Sequence, residues 1–418
     1  MNKQSLFVTS CISLVTTSMV FSIRGDIEGA MSATFHLTKE QMGAIWSPAF
    51  WAFTIAIFIS GALVDVLGMR RLHALSSIGY IVGVLVVITA PPPAGPVDSI
   101  FAASGPLLLY AGFFIMGLSQ GLVEGVINPL IATLYREDKT HKLTVLHAWW
   151  PGGLVIGGLL AYTLSQFGVP WRIKLSCILV PAIVYLVLVL TLRYPQTERV
   201  ESNIPAADMW REAGKPLFLL LFVCMWMTAA TELGPDQWFP SVMRSLTGWQ
   251  AEGVLFLVYT AGLMFVLRFY AGPLAHRISP LGMLTVSAIL SAIGLYWLGS
   301  LQPGVSPVVA FAAATVFGVG KTYFWPTMLG VTAEQFPRGG ALLINLMGGA
   351  GMLSVAVALP LIGSAFDQYG AGAALQRVAL LPVILTVVFG SLYLYFRARG
   401  GYRPVRLSTD EAIPAGEM

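Results

Sequence analysis

The sequence predicts an all-α integral membrane protein, with twelve transmembrane helices arranged as two pseudo-symmetric six-helix bundles. Three observations predict it. The charge content is too low for a water-covered surface, apolar runs recur at membrane-spanning length, and residue patterns repeat at fixed offsets. Of 418 residues only 11% are charged and 56% are hydrophobic, with a mean hydropathy of +0.76. A soluble domain carries about 25% charged residues, so most of this surface must face lipid.

A helix needs about 20 apolar residues to cross the hydrocarbon core. On that ruler the spans fall at residues 5–34, 40–66, 71–90, 105–135, 142–167 and 172–193, then 215–245, 249–271, 282–301, 306–335, 340–366 and 375–397. The first run follows Lys3 but lacks a small-residue cleavage site, so it reads as an uncleaved first helix. The longest polar segment, 194–214, divides an N-terminal bundle (1–193) from a C-terminal bundle (215–397), and 398–418 is a polar tail. With the N-terminus inside, seventeen of the 24 Lys and Arg residues, Arg268 among them, fall on cytoplasmic segments. Five fall outside, and Arg24 and Lys321 lie within the membrane. This asymmetry predicts a multi-pass protein of the cell (inner or plasma) membrane with both termini and the linker cytoplasmic.

The halves read as copies. Gly121, Glu124, Asn128, Pro129 and Glu137 of the fourth span match Gly318, Lys321, Trp325, Pro326 and Glu334 of the tenth at a constant offset of 197. Asp26 and Gly43 match Asp236 and Gly253 at an offset of 210. Parallel repeats of this kind place a solute site between the halves. Other classes are poorly served. The three cysteines lie in apolar stretches with no Cys/His spacing for a metal. No phosphate loop, catalytic triad or cofactor motif appears, and a formal charge of +4 without a basic patch gives no reason to expect nucleic acid. The expectation is a monomer in the bilayer that is not an enzyme, with no cofactor and no metal.

Ionisable side chains at bilayer depth cost about 2.5–3.5 kcal/mol each on insertion scales, so they face a cavity or a partner. Arg24, Asp26 and Glu28 lie in the first span, Glu124 in the fourth, Glu232 and Asp236 in the seventh, and Lys321 in the tenth. Glu124 and Lys321 are mid-span, matched in the repeat and opposite in sign, which predicts one functional unit. Asp26 reads either as a proton carrier or as the counter-ion of Arg24. Glu232 and Asp236 flank Gly234-Pro235, an expected helix break. His147, Trp149, Trp150, Tyr323 and Trp325 lie near the same depth, where packing competes with solute binding as their role.

The loop between the second and third spans carries Gly61, Asp65, Gly68, Arg70 and Arg71. It resembles the signature loop of the major facilitator superfamily, which implies a gating role for these five residues. A degenerate copy without the aspartate, Gly272-Pro-Leu-Ala-His276-Arg277, follows the eighth span. Within that superfamily, Glu124-Gly-Val-Ile-Asn128-Pro129 resembles the fourth helix of the fucose–proton symporter family. Leu146-His147-Ala-Trp149-Trp150 is similar to the polar-aromatic motif of that family's fifth helix, with Trp150 standing where many of its sugar transporters place asparagine. In the superfamily fold helices one, four, seven and ten line the central cavity, and all seven intramembrane charges fall on them.

The resemblance implies a secondary active transporter of a small polar solute, sugar or sugar-like, coupled to an ion, with a proton expected. Glu124 and Asp26 are then the proton-coupling candidates. Lys321, Asn128, His147, Trp150, Tyr323, Trp325, Glu232 and Arg24 are the solute-binding candidates. The rival readings are an efflux antiporter, a uniporter, and a sensor that binds without flux. The Gly152-Gly153…Gly157-Gly158 run lacks the residue order of drug–proton antiporters and instead fits close helix packing.

Overall fold

The protein is described here by a computed structural model covering residues 2–201, 205–247 and 253–405. Every regular element among them is helical. The first half holds α1 (Lys3–Phe35), α2 (Lys39–Trp46), α3 (Pro48–Leu67), α4 (Met69–Thr89), α5 (Ser104–Leu134), α6 (Lys139–Gln166), α7 (Trp171–Ser176) and α8 (Leu179–Thr191). Two short helices, α9 (Glu198–Glu201) and α10 (Ala206–Ala213), occupy the linker region. The second half holds α11 (Pro216–Thr247), α12 (Gly253–Arg268), α13 (Ala271–Ser300), α14 (Pro307–Lys321), α15 (Phe324–Gln335), α16 (Gly340–Val378) and α17 (Leu380–Ala398). Among the described residues eleven helical segments are long and apolar enough to cross a membrane, and Val258–Arg268 is a shorter apolar helix. The start of the expected eighth span and the tail beyond 405 lie outside the described residues.

Burial sorts the helices. Along α1 the small polar residues Thr9, Ser10, Ser13, Thr16, Thr17, Ser18 and Ser22 are buried, and their hydroxyls donate back to carbonyls three or four residues earlier. That local bonding lets a polar stripe pack inside the protein without unsatisfied groups. The glycine run of α6 packs against it. A Cβ on Gly153 would meet Ser18 Oγ at 1.9 Å and the Val15 backbone at 2.9 Å, so the expected close helix contact is present. By contrast Leu75 and Val82 of α4, Val180 and Val187 of α8, Val286 and Ile293 of α13, and Leu380 and Val387 of α17 are exposed apolar side chains. They lie on helices long and apolar enough to cross a membrane.

Two expectations about helix breaks are corrected. The seventh span runs unbroken through Gly234-Pro235 as part of α11. The tenth span, expected as one helix, is broken at Thr322-Tyr323 into α14 and α15. A proline removes one backbone donor and crowds the carbonyl four residues before it, but whether the chain breaks depends on what can satisfy the freed groups.

Both ends of the described chain lie on the same face as the linker, beside Glu137 and Asp138, called here the linker face. Lys3, Glu137, Pro195 and Glu201 line one cleft there, and Arg136 is salt-bridged to Glu201. The two bundles are closed against each other on this face. Glu334 Oε1 accepts from the backbone N–H (3.1 Å) and hydroxyl (2.5 Å) of Thr140, at the start of α6. Its other oxygen accepts from the Tyr402 hydroxyl at 2.7 Å, and the Val405 N–H donates to its carbonyl at 2.8 Å. Burial, then the Glu334 carboxylate, hold the Tyr402 phenol well above its ordinary range, so it remains a donor.

Candidate functional site

On α5, Glu124 and Asn128 stand one turn apart and therefore share a face. The Asn128 amide donates to the Glu124 carboxylate at 2.8 Å and to its carbonyl at 3.0 Å. With Nδ2 turned to Glu124, Asn128 Oδ1 is left to accept from His147 Nε2 of α6 at 2.8 Å. The imidazole lies 3.8 Å from Glu124. All three side chains are buried.

Prolines supply the next layer. Pro129, Pro151 and Pro326 lack the N–H that would bond the carbonyls of Gly125, His147 and Thr322. Each freed carbonyl is taken by a side chain from another helix. Asn345 of α16 donates to Gly125 O at 3.0 Å. Arg268 of α12 donates to His147 O at 2.6 Å and to Thr322 O at 2.7 Å. The same guanidinium is paired with Glu232 at 2.8 Å, and the other Glu232 oxygen accepts the Trp325 N–H at 3.0 Å, at the start of α15. The break in the tenth span is thus stable because one carboxylate and one guanidinium satisfy its loose backbone groups.

Arg268 is 1% exposed and corrects the sequence reading, which counted it as a cytoplasmic loop residue. It is an eighth intramembrane charge and touches both bundles. Glu124, His147, Glu232 and Arg268 line one cavity together with Phe53, Gln120, Trp150, Leu233, Trp325 and Met352. Its volume is about 30 Å³. A water needs about 10–15 Å³ on this measure, so the space admits roughly two waters and no solute. The centre is closed in this conformation.

The other expected residues are placed as follows. Lys321 is salt-bridged to Asp236 and lies over Phe317, 5.3 Å from the ring centre. It is not brought onto Glu124; the group between the bundles is the Arg268–Glu232 pair. Asp26 is paired with Lys174 at 2.7 Å and accepts from Ser165, so it is not the counter-ion of Arg24. The Tyr323 hydroxyl donates to Leu267 O at 2.7 Å, and Trp149 packs edge-on against Phe265. In the signature loop, Gly68 has φ +83°, a conformation that costs other residues strain. A Cβ on Gly61 would lie 3.1 Å from Asn345 Cβ and 3.5 Å from Leu342 Cα, so it is one of the glycines, with Gly348 and Gly349, that let α3 and α16 meet. Asp65 accepts from Thr197 in the linker at 2.5 Å. Arg70 donates to Val189 O at 3.1 Å and to Leu190 O, closing the end of α8, while Arg71 is exposed.

The sequence model of the Major Facilitator Superfamily matches residues 6–341. This chain belongs to the major facilitator superfamily. It is 24% identical over 281 residues to a protein TsgA homolog of Buchnera aphidicola, covering 64% of this chain and 68% of that one. It is 24% identical over 391 residues to the gentisate transporter of Corynebacterium glutamicum, covering 86% and 82%. Its fold matches that of the transporter FucP in the outward conformation with a TM-score of 0.73 at 15% identity, covering 93% of this chain and 98% of that one. The protein is therefore a multi-pass membrane transporter of the major facilitator fold and not an enzyme. The resemblance drawn from the signature loop is borne out for the superfamily.

Proposed function

We propose that this transporter is a proton-coupled symporter of a small polar solute, working by alternating access, with Glu124 as the proton carrier and the linker face cytoplasmic. One observation carries the proton assignment. Among the intramembrane carboxylates, Asp26, Glu232 and Asp236 each hold a lysine or arginine: Lys174, Arg268 and Lys321 in turn. Glu124 is held by the neutral Asn128 amide, with His147 beyond. A carboxylate locked to a fixed cation stays ionised, whereas one among neutral donors can load and release a proton as its hydration changes. Glu124 also lines the central cavity.

The solute class has two sources of support. The fold is shared with FucP, whose structures include one described as a fucose:proton symporter, which favours a sugar, and the relative named as a gentisate transporter favours an organic acid. Asn128, His147, Trp150, Trp325 and Glu232 are the groups at or beside the cavity that would meet either. The test is a purified protein in vesicles loaded with a pH-sensitive dye, challenged in turn with sugars, sugar acids, ring carboxylic acids, amino acids and nucleosides. Symport predicts lumenal acidification on addition of the transported solute. In Glu124→Gln the proton flux disappears while exchange of labelled solute persists. Alkalinisation would indicate antiport. Solute flux with no pH change would indicate a uniporter, and either result rejects the proposal.

A further inference from the structure

Arg24 of α1 is a buried cation that nothing in the described protein neutralises. It is 5% exposed, and no hydrogen-bond acceptor or carboxylate meets it among the described residues. Its Nη1 is enclosed without an acceptor, and so is the indole Nε1 of Trp46 on α2. The carboxylate two residues away, Asp26, is taken by Lys174 and Ser165. What surrounds the guanidinium is aromatic. Its Cζ lies 4.7 Å from the Phe21 ring centre, 5.2 Å from Trp46 and 5.8 Å from Phe50. Cation–π attraction offsets only part of the cost of dehydrating a charge.

This box packs beside the central cavity. Phe21 packs edge-on against Trp150 at 5.2 Å, Phe50 precedes Phe53 by about one turn on α3, and Trp150 and Phe53 line the cavity. Because α3 runs toward the linker face, Phe50 and Arg24 lie on the side of the cavity away from the seal.

We infer that Arg24 and Trp46 bind the carboxylate of a planar, ring-bearing organic acid, which would be the solute of the transport reading on which this inference rests. A guanidinium takes a carboxylate through two parallel N–H···O bonds, the indole N–H supplies a third donor, and Phe21, Phe50 and Trp150 flank the ring. A sugar would use the aromatic walls but leave the charge uncompensated. An inorganic anion would compensate the charge but leave the walls unused.

The test is equilibrium binding to the purified full-length protein at fixed neutral pH. The probes are benzoate, its hydroxylated derivatives and pyridine-3-carboxylate, each against its amide, with acetate, chloride and fucose as controls. At least one ring acid binds, about tenfold or more tighter than its amide and than acetate, the range expected for losing a charged hydrogen bond. Arg24→Gln loses that preference, Arg24→Lys keeps part of it, and Trp46→Phe weakens the acid severalfold. Removing an uncompensated buried charge leaves the ligand-free melting temperature of Arg24→Gln unchanged or raised, whereas a purely structural arginine would lower it. The inference is overturned if no ring acid binds, if acid and amide bind alike, if acetate matches benzoate, or if Arg24→Gln retains the preference. Should the ring acids fail while another solute carries protons in the vesicle assay, symport stands without this site. Should a ring acid bind through Arg24 while no solute moves protons, the site stands without symport.

Discussion

Replacing Arg268 by Gln tests whether the charge network is one unit. The guanidinium makes three contacts, with Glu232 at 2.8 Å, His147 O at 2.6 Å and Thr322 O at 2.7 Å, and both ionised partners are almost fully buried. Removing one member of a buried ion pair costs about 3–5 kcal/mol, because the other charge is left uncompensated. Each stranded carbonyl adds about 1–3 kcal/mol unless water reaches it. The adjoining cavity has room for roughly two waters, so those carbonyls are expected to hydrate and the total to stay near 4 kcal/mol. Glu232→Gln leaves a buried guanidinium and should cost about 3 kcal/mol by the same reasoning. The double mutant leaves no unpaired charge, so it should fall short of the sum by about 2 kcal/mol. The assay is reversible unfolding of the four proteins in mixed micelles, arranged as a double-mutant cycle. Additivity within about 0.5 kcal/mol would refute the reasoning, and Arg268 would then be a packed side chain without electrostatic weight.

Other perturbations read separate parts of the structure. Single cysteines at Glu201 and Ser306, both exposed, should be labelled by an impermeant reagent in intact cells only at 306; the reverse would place the linker face outside. Pro151→Ala restores the donor that His147 O lacks, so it should loosen Arg268 from the first bundle and shift spin-label distances across the linker face. Gly68→Ala must adopt φ +83° and should cost about 1 kcal/mol of stability. Asp65→Ala removes the acceptor of Thr197 and should shift the population toward the state open at the linker face by about 1–2 kcal/mol. Unchanged inter-bundle distances in that mutant would reject a gating role.

Much of the architecture was legible because lipid imposes it: apolar length set the spans, and the signature loop set the superfamily. Rare charges at depth pointed to Glu124, Glu232, Asp236 and Lys321, all of which are buried or half-buried in the centre. Their pairing was not legible, because which residue meets which depends on helix rotation and on contacts between helices, 36 residues apart for Glu232 with Arg268 and 85 for Asp236 with Lys321. Arg268 was missed since it stands near a span end, where arithmetic on loop charges absorbs it. The signal was present: Phe269, Tyr270 and Ala271 continue the apolar run beyond it. The misplaced helix break has a similar cause. Pro235 and Pro326 look alike in sequence, but it is at the second that Glu232 and Arg268 bond the opened backbone, at Trp325 N–H and Thr322 O.

The prolines also bear on how such a centre can change state. A carbonyl freed by proline has no partner within its own helix, so its bond must come from another helix or from water. Gly125 O and His147 O in the first bundle are held by Asn345 and Arg268 of the second. If the bundles rock apart at the linker face, those two bonds must break, and water or solute must replace them. Opening and hydration of the centre are then one event. Glu124 lies a residue from Gly125 and shares Asn128 with His147, so the same event would admit more water to its carboxyl. Hydration favours the ionised form and dehydration the protonated one. On the proposed symport cycle, opening at the linker face would then favour release of the Glu124 proton to that side.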